Sequence, residues 1–202
     1  MIVVRILGGL GNQMFQYALG RRLSLERDEA LRLDVSGFES DPLRTLTLDH
    51  FALEFELALG KDVRALTHVP PRFPETVVPR KWIPKPLRNR KRLNPHHVKE
   101  VEGFRFDPEV LRTPSPAYFD GYWQSERYFD TIADTLRADF AFRAPLTERN
   151  AEVAAEIAEG QAVSLHVRRG DYANHARTNE VHGLCSLRSS ILGARGRPTY
   201  GP

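Results

Sequence analysis

The chain has 202 residues, 41% of them hydrophobic, enough for one good-sized core or for one domain plus part of another, and too apolar for a disordered polypeptide. A net charge of +3 with a pI near 9.2 suits an anionic small ligand but is too slight an excess to argue for nucleic acid as a partner. The single cysteine, Cys185, excludes an intrachain disulfide framework and a multi-cysteine zinc site and favours a reducing compartment.

Ile2 to Leu7 reads as a buried strand. It is interrupted by Arg5 and is too short for a signal-peptide core or a membrane span, so the sequence is read as cytoplasmic. The turn Gly8-Gly9-Leu10-Gly11 follows, then a helix from about Asn12 whose apolar stripe is Met14, Phe15, Ala18, Leu19 and Leu23. Leu31, Leu33 and Val35 alternate as a second strand ending near Asp34. Strand, glycine turn, helix, strand opens a βαβ unit, so the fold class is α/β with a parallel sheet.

A glycine turn before a helix aims backbone N–H groups and the positive helix end at an anion. The dinucleotide fingerprint would want a glycine in place of Met14, although Asp34 stands where a ribose-binding acid belongs. A nicotinamide or flavin oxidoreductase is therefore one alternative. Asn12 and Gln13 at the helix mouth point instead to side-chain recognition of a polar ligand.

Between Pro70 and Pro95 fall seven of the fourteen prolines, and Arg80 to Arg92 carries seven basic residues and no acid. Regular structure is not expected there. The basic stretch reads either as a peripheral contact with anionic membrane or an acidic partner, or as a solvated loop. The loop is preferred, because no apolar face accompanies the charges.

An aromatic-rich strand, Tyr118 to Gln124, precedes a helix with Phe129, Ile132, Leu136 and Phe140 at spacings of three and four. The stretch Trp123 to Phe129 could stack a sugar, but aromatics at these spacings are read as core. A further helix has Thr147 as its N-cap, a body from Ala151 to Ala158 and Gly160 past its end. It leads to a strand, Ala162 to Val167, that runs into His166-Val167-Arg168-Arg169-Gly170-Asp171-Tyr172. Strand parity puts His166 and Arg168 on one face, where a planar guanidinium fork matches phosphate or carboxylate. Arg169-Gly170-Asp171 is also an integrin-type tripeptide, but it directly follows a strand where a receptor-read loop should protrude. His175 and His182 lack a third metal ligand at suitable spacing.

Gly8 to Ala18, Gly121-Tyr122-Trp123-Gln124-Ser125-Glu126 and His166 to Tyr172, with His182 to Leu187, together resemble the bacterial α-1,2-fucosyltransferases of glycosyltransferase family eleven. The resemblance runs from Met1 to about Leu187. It implies two Rossmann-like domains of GT-B type, metal-independent catalysis and no cofactor. GDP-β-L-fucose is the implied donor, and a galactose-terminated glycan the acceptor, with inverting transfer to its 2-hydroxyl. It also implies that Arg168 and Arg169 hold the donor diphosphate and that Gly9, Gly11, Asn12 and Gln13 line the donor or acceptor side. An inverting transfer needs a base opposite the leaving group, and His166 and Asp171 are the candidates. The expected organisation is an amino-terminal domain over 1–150, the start of the donor domain over 151–187 and an aberrant tail over 188–202. The tail departs from the family pattern as a truncated or frameshifted end would, which leads to an expectation of weak activity or none, with a non-catalytic nucleotide-diphosphate-binding remnant as the alternative.

Overall fold

The computed structural model describes residues 1–53, 55–68, 94–101, 105–161 and 163. The chain divides into two compact units, Met1–Leu146 and Thr147–Pro202.

In the first unit the chain runs β1 (Ile2–Arg5), α1 (Leu10–Arg27), β2 (Leu31–Asp34), β3 (Glu56–Leu57), α2 (Gly60–Thr67), β4 (His97–Lys99), α3 (Pro108–Arg112), β5 (Ala117–Asp120) and α4 (Ala133–Asp139). The strands form one parallel sheet in the order β3-β2-β1-β5-β4. Strand order proceeds outward from β1 through β2 to β3, and the chain then returns to the other side of β1. The junction of β1 and β5 is therefore a topological switch point, where open α/β sheets form a crevice outside the carboxyl ends of their strands.

Register explains the burial of both sheet faces. Ile2, Val4 and Ile6 share a cluster with Leu31, Leu33, Ala117 and Phe119, covered by Tyr17, Ala18, Leu19 and Leu23 of α1. Val3 and Tyr118 point the other way and pack with Leu66 of α2. Helices on opposite faces let the central strands β1 and β5 be apolar at three of four positions.

α1 begins at Leu10, two residues before the expected Asn12, because Gly9 already holds the extended N-cap conformation (φ −76°, ψ 172°). It ends at Asp28, left-handed at φ 51°, whose backbone N–H donates to the Ser24 carbonyl. The helix expected across Phe129 to Phe140 is shorter than the apolar spacing suggests. Glu126–Tyr128 and Asp130–Ile132 are 3₁₀ turns, separated by Phe129 at φ −150° and ψ 14°, and only Ala133–Asp139 is α-helical. Spacings of three and four occur in both helix types, so periodicity alone does not separate them.

In the second unit the described helix is α5 (Glu148–Ala158), with Thr147 at its N-cap and none of its residues buried. Thr147 makes no side-chain capping bond, so the extended backbone rather than its hydroxyl starts the helix. Among the described residues, no helix is long and apolar enough to cross a membrane. Trp82 and most of the proline-rich stretch lie outside the described residues.

Candidate functional site

Two loops meet at the switch point: Leu7 to Gly9 after β1, and Gly121 to Gln124 after β5. Gln16 of α1, fully buried, ties them together. Its Oε1 accepts from the Leu7 N–H at 3.0 Å, and its Nε2 donates to the Gly121 carbonyl at 3.1 Å. Gln13, one helical turn earlier, is equally buried. Its Nε2 donates to the carbonyls of Gly8 (2.9 Å) and Thr45 (2.8 Å), and its Oε1 accepts from the backbone N–H (2.9 Å) and hydroxyl (3.1 Å) of Thr47. All four hydrogen-bonding positions of that amide are filled by the chain itself. Gln13 thus differs from the sequence expectation of a ligand-lining residue: it anchors the loop through Thr45 and Thr47 to the glycine turn.

The loop after β5 is held as tightly. The Glu100 carboxylate accepts from the backbone N–H groups of Tyr122 (2.6 Å) and Trp123 (3.0 Å). Trp123 adopts φ 56°, uncommon for a bulky residue and maintained only where the surroundings over-determine it. Its indole is buried edge-on against Phe119 and Tyr128, in agreement with the core reading. The indole N–H has no hydrogen-bond partner among the described residues. A Cβ added at Gly121 would stand 2.4 Å from the Glu100 Cβ, a contact no side-chain rotation relieves. Gly121→Ala is expected to cost about 1–3 kcal/mol of stability, read as a lowered denaturation midpoint with unchanged slope.

The rim of the crevice is polar and accessible. Gln124 Nε2 donates to Asn12 Oδ1 at 2.7 Å, and the half-buried Tyr122 ring lies beside Gly8, which is left-handed at φ 79°. The first turn of α1 has neither a side-chain capping hydrogen bond nor an acidic residue, so its first backbone N–H groups have no partner within the helix. A Cβ at Gly9 or Gly11 would meet nothing within 4 Å. The packing of the described residues does not require glycine there, whereas close approach of a ligand would.

On the other sheet face, Arg5 Nη1 pairs with Asp120 Oδ1 at 3.1 Å, while His97 Nε2 and Lys99 Nζ stand 3.2 and 3.6 Å from Asp120 Oδ2. Burial alone would raise the Asp120 carboxyl, but the hydrogen bond and charge of Arg5, aided by His97 and Lys99, hold it below its ordinary value. A lowered folded-state value stabilises the fold fully above the ordinary value near 3.8 and is lost as pH falls through it towards the lower folded value. The acid limb of the stability profile should therefore flatten in Asp120→Asn below about pH 4, with little change in its pH dependence between 5 and 7.

Asp34 is buried and accepts from the Tyr118 hydroxyl at 2.6 Å and from the Ser36 N–H at 3.0 Å. Burial and this carboxylate push the Tyr118 hydroxyl well above the ordinary tyrosine range. A ribose-binding acid must offer its carboxylate to solvent. Here it is committed to the interior, which removes the feature that supported a dinucleotide enzyme.

Among the sequence-predicted site residues, Gly9, Gly11, Asn12 and Gln13 therefore gather at one crevice. His166, Arg168, Arg169 and Asp171 lie outside the described residues, as do His175 and His182. Glu100 and Gln16 were not anticipated as supports. Gln13 and Gln16, three apart in an otherwise apolar helix face, were the available signal. Beside the crevice, α1 and α4 flank an apolar cleft of about 530 Å³ that runs from Gly11 past Met14, Phe15 and Phe129 to Phe140. Among the described residues, no three His, Cys, Asp or Glu side chains converge as a metal site requires.

Residues 94–188 match Glycosyl transferase family 11. The chain is also 31% identical over 195 residues to an alpha-1,2-colitosyltransferase of Escherichia coli, a match covering 95% of this chain and 62% of that protein. It thus spans a little under two thirds of the length of this curated relative. No solved structure matches the chain. From Asn94 to Arg188 the sequence carries the pattern of glycosyl transferase family 11.

Proposed function

We propose that this protein is an inverting α-1,2-fucosyltransferase that moves L-fucose from GDP-β-L-fucose to the 2-hydroxyl of a galactoside. The observation that carries the reading is the family 11 match, because it includes both Gly121 to Glu126 and His166 to Tyr172. In such a transfer the bond from the anomeric carbon to the diphosphate oxygen breaks as the acceptor oxygen bonds from the opposite face. The electron pair leaves with GDP, and the acceptor proton passes to a base.

Arg168, with Arg169 beside it, is assigned to the charge that builds on the diphosphate, as preorganised cations lower the barrier most where charge develops. His166 or Asp171 is assigned the proton. Gly9, Gly11 and Asn12 line the sugar side of the crevice, and Gln13 holds the turn that presents them. A two-domain GT-B arrangement belongs to the same reading.

The test is GDP release from GDP-fucose with and without lactose. The reading predicts release that depends on lactose and is unchanged by a chelator; equal release in its absence would contradict it. A second reading, transfer of colitose, is favoured by the name of the relative. Parallel assays with the corresponding colitosyl donor separate the two by their ratio of kcat/KM.

A further inference from the structure

The crevice rim carries a pattern that the donor chemistry does not use. We propose that Asn12, Tyr122 and Gln124 form the subsite for the acceptor's galactose ring. Tyr122 is its platform, and the two carboxamides read a pair of adjacent ring hydroxyls. This inference rests on the transferase reading above and names the residues that recognise its acceptor.

The carboxamides are joined through Gln124 Nε2 and Asn12 Oδ1, 2.7 Å apart. Beyond that bond, the Asn12 Nδ2 donors, the second N–H of Gln124 Nε2 and the Gln124 Oε1 acceptor make no hydrogen bond among the described residues. A neighbouring donor and acceptor complement a vicinal diol, in which one hydroxyl accepts while the next donates. Phosphate, with acceptors only, would leave the Gln124 oxygen unanswered. The third member is aromatic, and one face of a galactose ring is a run of C–H groups because its axial hydroxyl lies on the other. A tyrosine ring is the kind of flat apolar body that such a face packs on.

These groups are also held in advance. Glu100 fixes the backbone of Tyr122 and Trp123, and Gln16 joins this loop to the turn after β1. Trp123 stays in its left-handed conformation beneath the rim. Gln124 itself is exposed, so the buried frame supports an accessible side chain. Pre-ordering of this kind lowers the cost of binding a weakly held sugar. The axial and equatorial pair at positions three and four of galactose is the diol assigned here, which leaves the 2-hydroxyl for transfer.

The experiment compares the purified protein with Asn12→Ala, Gln124→Ala, Tyr122→Leu and Tyr122→Phe, using methyl β-galactoside and its 4-epimer, methyl β-glucoside, as acceptors. Gln124→Ala and Asn12→Ala should each raise the galactoside KM about fivefold to tenfold and narrow the preference over the glucoside, with the donor KM unmoved. Tyr122→Leu should raise the galactoside KM similarly, and Tyr122→Phe, which keeps the ring, should restore it. Unchanged galactoside KM in all four variants, or donor and acceptor KM rising together, would overturn the assignment. Should no transfer occur with any donor, ligand-observed NMR with methyl β-galactoside decides separately. Binding that survives in Tyr122→Phe and is lost in Tyr122→Leu supports the subsite, and absence of binding to the unaltered protein refutes it.

Discussion

Gln13→Ala is expected to destabilise the first unit by about 3–5 kcal/mol, more than any other single change at the crevice. The side chain is fully buried and makes four hydrogen bonds, two donated to carbonyls and two accepted from Thr47. Removing it takes this partner from the carbonyls of Gly8 and Thr45 and from the Thr47 N–H, of which Gly8 and Thr47 are half-buried and Thr45 is exposed. Each stranded group costs about 1–3 kcal/mol, partly recovered where the loop opens to solvent. Urea denaturation provides the check. Asn12→Ala, at the rim, should shift the midpoint by far less, at most about 1 kcal/mol, and equal costs at the two positions would show that Gln13 is not the anchor.

Arg168→Lys is expected to cost on the order of 2–4 kcal/mol in transition-state stabilisation, roughly 30-fold to 800-fold in kcat/KM. A lysine retains the positive charge, so attraction of the donor survives in part. It cannot reproduce the planar pair of N–H donors that a diphosphate oxygen meets as the glycosidic bond lengthens. The loss should therefore fall mainly on kcat, since the interaction grows with the leaving-group charge. Kinetics equal to those of the unaltered protein would remove Arg168 from the diphosphate site.

The two changes test different layers. Gln13 acts through the backbone that it holds, and its replacement should register in denaturation before any assay of transfer. Arg168 lies outside the described residues, and its role comes from the resemblance and from the chemistry of a charged leaving group. A fold that melts normally with slow turnover is the signature expected of Arg168→Lys alone.

The fold class and the first βαβ unit were legible because the first strand is an apolar run, the second alternates and the helix repeats at three and four. Ile2 to Arg5 and Leu31 to Asp34 pair in parallel as that pattern requires. The position of β5 between β1 and β4 was not legible, because strand order depends on which apolar faces meet rather than on local spacing. Local pattern likewise could not separate the 3₁₀ turns after β5 from a continuous helix.

Gln13 and Asp34 show why residue type under-determines role. Both are polar residues at the carboxyl ends of strands or the start of a helix, where ligand contacts are expected. Burial decides otherwise in each case: the Gln13 amide and the Asp34 carboxylate each combine a local partner, Gly8 or Ser36, with one 32 or more residues away in sequence. Glu100 was missed for the complementary reason. A lone acid after a short edge strand has no periodicity to mark it, and only the tertiary approach of the loop after β5 gives it two N–H groups to accept.

The most direct measurement is the linkage and anomeric configuration of the product formed from GDP-fucose and lactose, determined by NMR. The account predicts a single α-linked fucose on the 2-hydroxyl of galactose. A β-linked product, attachment at any other hydroxyl, or consumption of the donor with no disaccharide extension would contradict it.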